Sequence, residues 1–214
     1  MENTHQILEL FPTPVYVDNL DPKFSNLISW FDKQEMYTDK DPIDAPNYGY
    51  RSKDSYILNK KECGDLREFI LNKALKFGKM MGYECKNYKL SQSWISHKLP
   101  GQHHVMHSHS NSLISGVFYY GSMDENTPII EFHKASVSIN SCTLKPKHSP
   151  NSKYKFSHES VTIPPSPGLL LLFPSFLLHS VPVNDTNTIR KSLAFNIIPK
   201  EGFGSEQELT ELKL

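Results

Sequence analysis

Apolar residues recur with helical spacing in the first third of the chain and with strand spacing in the rest. Phe24, Leu27, Ile28 and Phe31 fall at i, i+3, i+4 and i+7 behind Pro22, which predicts a helix over 22–36. Leu66, Phe69, Ile70, Leu75, Phe77 and Met80 predict a long amphipathic helix over 62–83, ending near Gly82. Ahead of both, ILELFPTPVYV (7–17) alternates around two prolines, and proline cannot donate to a ladder, so it predicts an edge strand. From residue 91 the pattern shortens. SQSWISHKL (91–99), SLISGVFYY (112–120), PIIEFHKASVSI (128–139), ESVTIPP (159–165), GLLLLF (168–173) and KSLAFNIIP (191–199) are β-rich runs separated by Pro, Gly, Asn and Ser. Residues 37–56 and 145–158 are polar loops. The first is long enough to cover a site and carries Tyr48, Tyr50 and Arg51.

Helices followed by many strands predict an α+β fold, with helices buttressing an antiparallel sandwich or barrel. The mouth of such a barrel can hold a small molecule. With 214 residues, one domain is expected over 1–214: an N-terminal strand, helices and loop over 1–90, a β core over 91–199 and a C-terminal tail over 200–214.

Composition narrows the function classes. Lys+Arg and Asp+Glu both number 23, so net charge draws the chain neither to nucleic acid nor to an anionic membrane. The most apolar run, GLLLLFPSFLL, is too short to span a bilayer. Three dispersed cysteines, Cys63, Cys85 and Cys142, support neither a disulfide framework nor a thiolate metal site. The N-terminus lacks the pattern of a signal peptide, and a reducing, cytoplasmic location is expected.

The chemistry concentrates in GQHHVMHSH (101–109), which holds His103, His104, His107 and His109 with no acidic residue. On an extended segment His107 and His109 point to one face, where two imidazoles can bind one metal; a solvated His-rich loop is the alternative. His179 follows a predicted strand, and Arg190 and Ser192 open the next. An arginine buried in a barrel needs an anion, whereas one on the surface needs none.

Taken together, His107-Ser-His109, His179 and Arg190-x-Ser192 on β-type sequence resemble the iron(II)- and 2-oxoglutarate-dependent oxygenases of the double-stranded β-helix (jelly-roll, cupin-like) fold. The match extends to PGQHHVMHSH, with Gly101 six residues before His107 as in prolyl-4-hydroxylase-like members, and to the Tyr-rich strand SGVFYY. A narrower group of uncharacterised HxH members also shares the Leu10–Pro14 segment and Trp94. The resemblance implies Fe(II) held by His107 and His179, and 2-oxoglutarate gripped at its distal carboxylate by Arg190 and Ser192. Tyr119 and His104 stand where family members make further cosubstrate contacts. It implies an O2-consuming dioxygenase that releases succinate and CO2 and hydroxylates a small-molecule, peptide or protein substrate. A cupin-like metal-binding protein, or a dioxygenase that uses no 2-oxoglutarate, shares the barrel and histidines and differs at Arg190-x-Ser192.

His109 occupies the position of the usual carboxylate ligand. Three readings stay open: a three-His site of His107, His109 and His179; a carboxylate from elsewhere, with Glu131 the best placed; or two protein ligands with His109 behind them and solvent completing the coordination. The first leaves the metal one unit more positive.

Overall fold

The computed structural model describes residues 11–20, 22–37, 49–134 and 160–214. Its ten strands are β1 (Tyr16–Asn19), β2 (Tyr50–Arg51), β3 (Tyr88–Lys98), β4 (His104–His107), β5 (Ile114–Tyr120), β6 (Glu131–His133), β7 (Ser160–Thr162), β8 (Leu169–Pro174), β9 (His179–Val181) and β10 (Arg190–Pro199). A large sheet runs in the order β1-β8-β5-β10-β3-β2 and a small one β4-β9-β6-β7. From β3 onward the chain passes back and forth between the sheets, and every ladder is antiparallel. This is the expected double-stranded β-helix.

At the centre of the large sheet β5 and β8 are buried on both faces, which explains why they do not show the apolar–polar alternation of a half-buried strand. Leu170 and Leu172 of β8 join Phe118, Leu193, Phe195 and Ile197 in a core facing the helices. Leu169, Leu171 and Phe173, with Val117 and Tyr119, face the other way and pack with Phe132 of the small sheet. Gly116 of β5 has no room for a side chain beside Phe195 and Leu172. A Cβ there would come within 2.3 Å of the Phe195 ring and 2.9 Å of Leu172. Gly116→Ala should therefore cost about 1–3 kcal/mol through overpacking. Denaturant unfolding should read this as a lower midpoint at unchanged m-value.

The helical layer departs from expectation in extent. Helix α2 spans Gly64–Met80 and buries Leu66, Ile70, Ala74 and Phe77 against the large sheet, whereas Met80 is 74% exposed. Gly82, at φ +78°, follows it in the left-handed region expected after a helix end. The helix expected over 22–36 is shorter: a 3-10 segment Pro22–Leu27 and one α turn, α1 (Ile28–Phe31). Its apolar stripe is nonetheless used, since Phe24, Leu27 and Phe31 are buried. The chain leaves the helix because residues 35–37 pair with 51–53, through Tyr37 N–H to Arg51 O, Lys53 N–H to Glu35 O and a Met36–Ser52 bridge. Strand β1 is an edge strand, as the prolines predicted, and starts at Tyr16, beyond them. Residues 7–10 of that prediction, Tyr48 with most of its loop, Cys142 and the loop 145–158 lie outside the described residues. So does 135–139, the end of the run that begins with β6.

Candidate active site

Strand β4 is irregular in a way that shapes the site. His104 pairs with Val181 and His107 with His179, so two residues of β4 stand opposite one of β9. Such a bulge shifts the side-chain alternation by one position. His104 and His107, three apart, both turn into the barrel with ring centroids 4.5 Å apart, while Val105 and Met106 are 45% and 53% exposed. His109 lies just beyond β4, its backbone N–H bonded to the Ser175 carbonyl at 2.9 Å.

One nitrogen from each of His107, His109 and His179 lies within 4.8 Å of the others. The hydrogen bonds behind the rings say which nitrogen faces inward. Nδ1 of His107 lies 2.8 Å from the Val105 carbonyl, and Nδ1 of His179 lies 2.8 Å from the Leu177 carbonyl. Carbonyls only accept, so both Nδ1 atoms carry the proton and both Nε2 atoms are left with a lone pair. Nδ1 of His109 lies 2.6 Å from Oδ1 of Asn196, another acceptor. The Nε2 atoms of His107 and His109 approach to 3.3 Å, so two lone pairs face each other. A cation between them removes that repulsion. Burial disfavours charge on two of the three: it pushes His179 down to about 3 and also lowers His109. His104 likewise falls to about 3 through burial, then the Lys98 charge. Three imidazoles with converging lone pairs are a donor set that fits Fe(II).

Arg190 lies at the far side of the same cavity, which His104, His107, His109, His179, Trp94 and Lys98 also line. It is 3% exposed. Its Nε donates to the Pro128 carbonyl at 2.8 Å, and its two terminal nitrogens donate to Ser192 Oγ and Tyr119 Oη, both at 3.1 Å. Tyr119 Oη also accepts from Ile130 N–H at 2.9 Å. With two N–H groups donating to it, its own proton remains to be given. Among the described residues no carboxylate lies within ion-pair distance of Arg190.

Residues 92–196 match the family model described as "Putative 2OG-Fe(II) oxygenase". The match identifies residues 92–196 as a 2OG-Fe(II) oxygenase domain. The oxygenase is accordingly an oxidoreductase that uses Fe(II), 2-oxoglutarate and O2. Its fold is similar to that of a Pseudomonas putida prolyl-4-hydroxylase, at 11% identity and TM-score 0.55 over 86% of this chain and 92% of that one. AviO1 from Streptomyces viridochromogenes is similar at 14% identity and TM-score 0.59, over 90% and 93% of the two chains. HygX from Streptomyces hygroscopicus, solved with nickel and 2-oxoglutarate bound, is similar at 10% identity and TM-score 0.59, over 89% and 84%. No curated protein matches the chain in sequence. Among the described residues no helix is long and apolar enough to cross a membrane.

The oxygenase's fold thus brings His104, His107, His109, His179, Arg190, Ser192 and Tyr119 into one region. Glu131 is not among them. Phe132 takes the inward position on β6, 6.5 Å from the His179 ring, so Glu131 projects from the outer face and accepts a hydrogen bond from Ser160. His133, on the same outer face, bonds Ser180 Oγ at 2.8 Å. His97 faces the helical layer, where Nε2 lies 3.0 Å from Tyr120 Oη. Three site residues escaped the sequence reading. Lys98 is 4% exposed and stands directly opposite Arg190 in the β3–β10 ladder. Asn196 and Ser115 are cross-strand partners behind His109. The signal for Asn196 is the alternation on β10: Arg190, Ser192 and Asn196 share one face of the strand already expected over 191–199.

Proposed function

We propose that His107, His109 and His179 hold Fe(II) through their Nε2 atoms, and that Arg190, Ser192 and Tyr119 take the distal carboxylate of 2-oxoglutarate. The observation that carries this reading is the buried Arg190, whose guanidinium donates, among the described residues, to a carbonyl and two hydroxyls and to no carboxylate. Burying that charge is costly without an anion. A dicarboxylate whose other end chelates the metal would supply one. When bound, the iron and keto acid provide the oxidising chemistry: 2-oxoglutarate and O2 yield succinate and CO2, and one oxygen atom enters a substrate C–H bond.

The chain's own residues would bind, orient and shield. Arg190 presents two terminal nitrogens as a fork suited to a carboxylate. Tyr119 donates its free proton alongside, and His104, neutral beside His107, contacts the cosubstrate. Phe173, in edge contact with His179 at 5.0 Å, and Phe132 keep water from the metal face. The reading assigns catalysis to 91–199, buttressed by 1–90 and followed by the tail 200–214. The substrate is a small molecule, peptide or protein rather than nucleic acid. Free thiols at Cys63 and Cys85 support a reducing, cytoplasmic setting.

The test is an anaerobic titration with Fe(II), then 2-oxoglutarate. One equivalent of each should bind and produce a weak visible charge-transfer band, and admission of air should release succinate. Absence of both band and succinate would sink the assignment.

A further inference from the structure

His107 and His179 set their own tautomers, because each Nδ1 binds the carbonyl two residues back along its own strand segment. His109 differs: its Nδ1 does not bind a carbonyl of its own segment. Its Nδ1 is instead met from the large sheet, by Asn196 Oδ1 at 2.6 Å and Ser115 Oγ at 3.0 Å. Asn196 and Ser115 face each other across the β10–β5 ladder, 8% and 0% exposed. Ser115 Oγ donates to Asn196 Oδ1 at 3.0 Å and lies 2.8 Å from Ser175 Oγ. Ser175 donates to Ser112 at 2.8 Å, and Ser112 donates to the carbonyls of Ile114 and Ile197. A hydroxyl has one proton, so Ser115 in donating to Asn196 Oδ1 cannot also donate to Ser175; Ser115 alone meets the amide oxygen, while the Ser175–Ser112 pair is anchored separately on backbone acceptors. Ser175 also supplies the carbonyl that fixes the His109 backbone.

We propose that Asn196, backed by Ser115, is the positioning residue that holds His109 as its Nδ1–H tautomer and so turns Nε2 toward His107 and His179. An imidazole can stand at the usual carboxylate position only if its inward nitrogen is unprotonated. A neutral amide oxygen ensures this without placing a second charge behind the ligand. A hydrogen-bond partner of this kind behind a ligating imidazole is worth about 10–100-fold in metal affinity. The inference rests on the reading that His109 is a ligand, and the experiment separates the two.

Anaerobic Fe(II) affinity, with the band formed on adding 2-oxoglutarate, is measured for the full-length protein and for Asn196→Leu, Asn196→Asp, Ser115→Ala and His109→Ala. Asn196→Leu should bind Fe(II) about 10–100-fold more weakly, and Asn196→Asp, which keeps an acceptor, should recover most of the affinity with a displaced band. Ser115→Ala, the milder change, should weaken binding less than Asn196→Leu. Long-range proton–nitrogen spectra of the unmodified protein loaded with Zn(II) should show His109 protonated at Nδ1 and metal-bound at Nε2, and this arm needs no variant to fold. Wild-type affinity and band in Asn196→Leu, or a His109 protonated at Nε2, would overturn the proposal. If His109→Ala itself binds Fe(II) like the unmodified protein, the three-His reading fails first and the proposal falls with it. A weakened His109→Ala beside an unaffected Asn196→Leu overturns the proposal alone.

Discussion

Arg190→Ala should bind Fe(II) normally yet lose on the order of 10²–10³-fold in apparent affinity for 2-oxoglutarate. Removing one partner of a buried, hydrogen-bonded charge pair costs about 2–5 kcal/mol, and each 1.4 kcal/mol is about tenfold. The low end applies if Tyr119 and Ser192 still hold the carboxylate, and the high end if they need Arg190 for their own placement. The second case is favoured, since both hydroxyls accept from its guanidinium, which also lies 4.9 Å over the Tyr119 ring. Arg190→Lys should fall between, because an ammonium keeps the charge but not the fork. The check is Fe(II) affinity alone, then 2-oxoglutarate titration of the iron-loaded variant, then succinate release. Undiminished turnover in Arg190→Ala would mean that no dicarboxylate sits there, and the cupin-like alternative would gain.

His179→Ala should show the converse and larger loss, with metal affinity falling more than about a hundredfold. A residue that merely touches a ligand is worth about 10–100-fold, so the ligand itself is worth more. His179 is also the most buried of the three, 4% exposed and enclosed by Phe132 and Phe173. Alanine leaves an apolar gap with no polar group to stand in. Metal at one hundred times its dissociation constant stabilises a fold by about 2.7 kcal/mol, visible as a rise in Tm. That rise should nearly vanish in His179→Ala, while the metal-free Tm changes far less. Equal Fe(II)-induced stabilisation of both proteins would remove His179 from the ligand set.

What the sequence disclosed followed from short-range rules. The α2 stripe of Leu66, Ile70 and Phe77, the edge character of β1 and the strand identities of β3, β5, β8 and β10 all came from periodicity. His107, His179 and Arg190 could be found because a known motif spaces them along the chain. The remainder depended on partners distant in sequence. The β4 bulge that turns His104 and His107 to one side is a property of its register with β9, and nothing in HHVMH announces it. Asn196 is unremarkable as a strand residue until Ser115 is found opposite it. Glu131 looked available as a ligand because period-two alternation does not say which face is inner; Phe132 decides that by packing on Phe173. The helix over 22–36 was overextended because its capture by 51–53 is long-range.

The two sheets differ in robustness. The strands of the small sheet are only three or four residues long, whereas β3 and β10 run for 11 and 10. His107 and His179 come from the small sheet, and the imidazole of His109 is tethered to the large one through Asn196. An ion gripped by all three would act as a clasp between a firm wall and a looser flap. Amide hydrogen exchange in β4 and β9 should therefore slow on metal loading while β5 and β10 hardly change, and a uniform response across both sheets would argue against such a clasp.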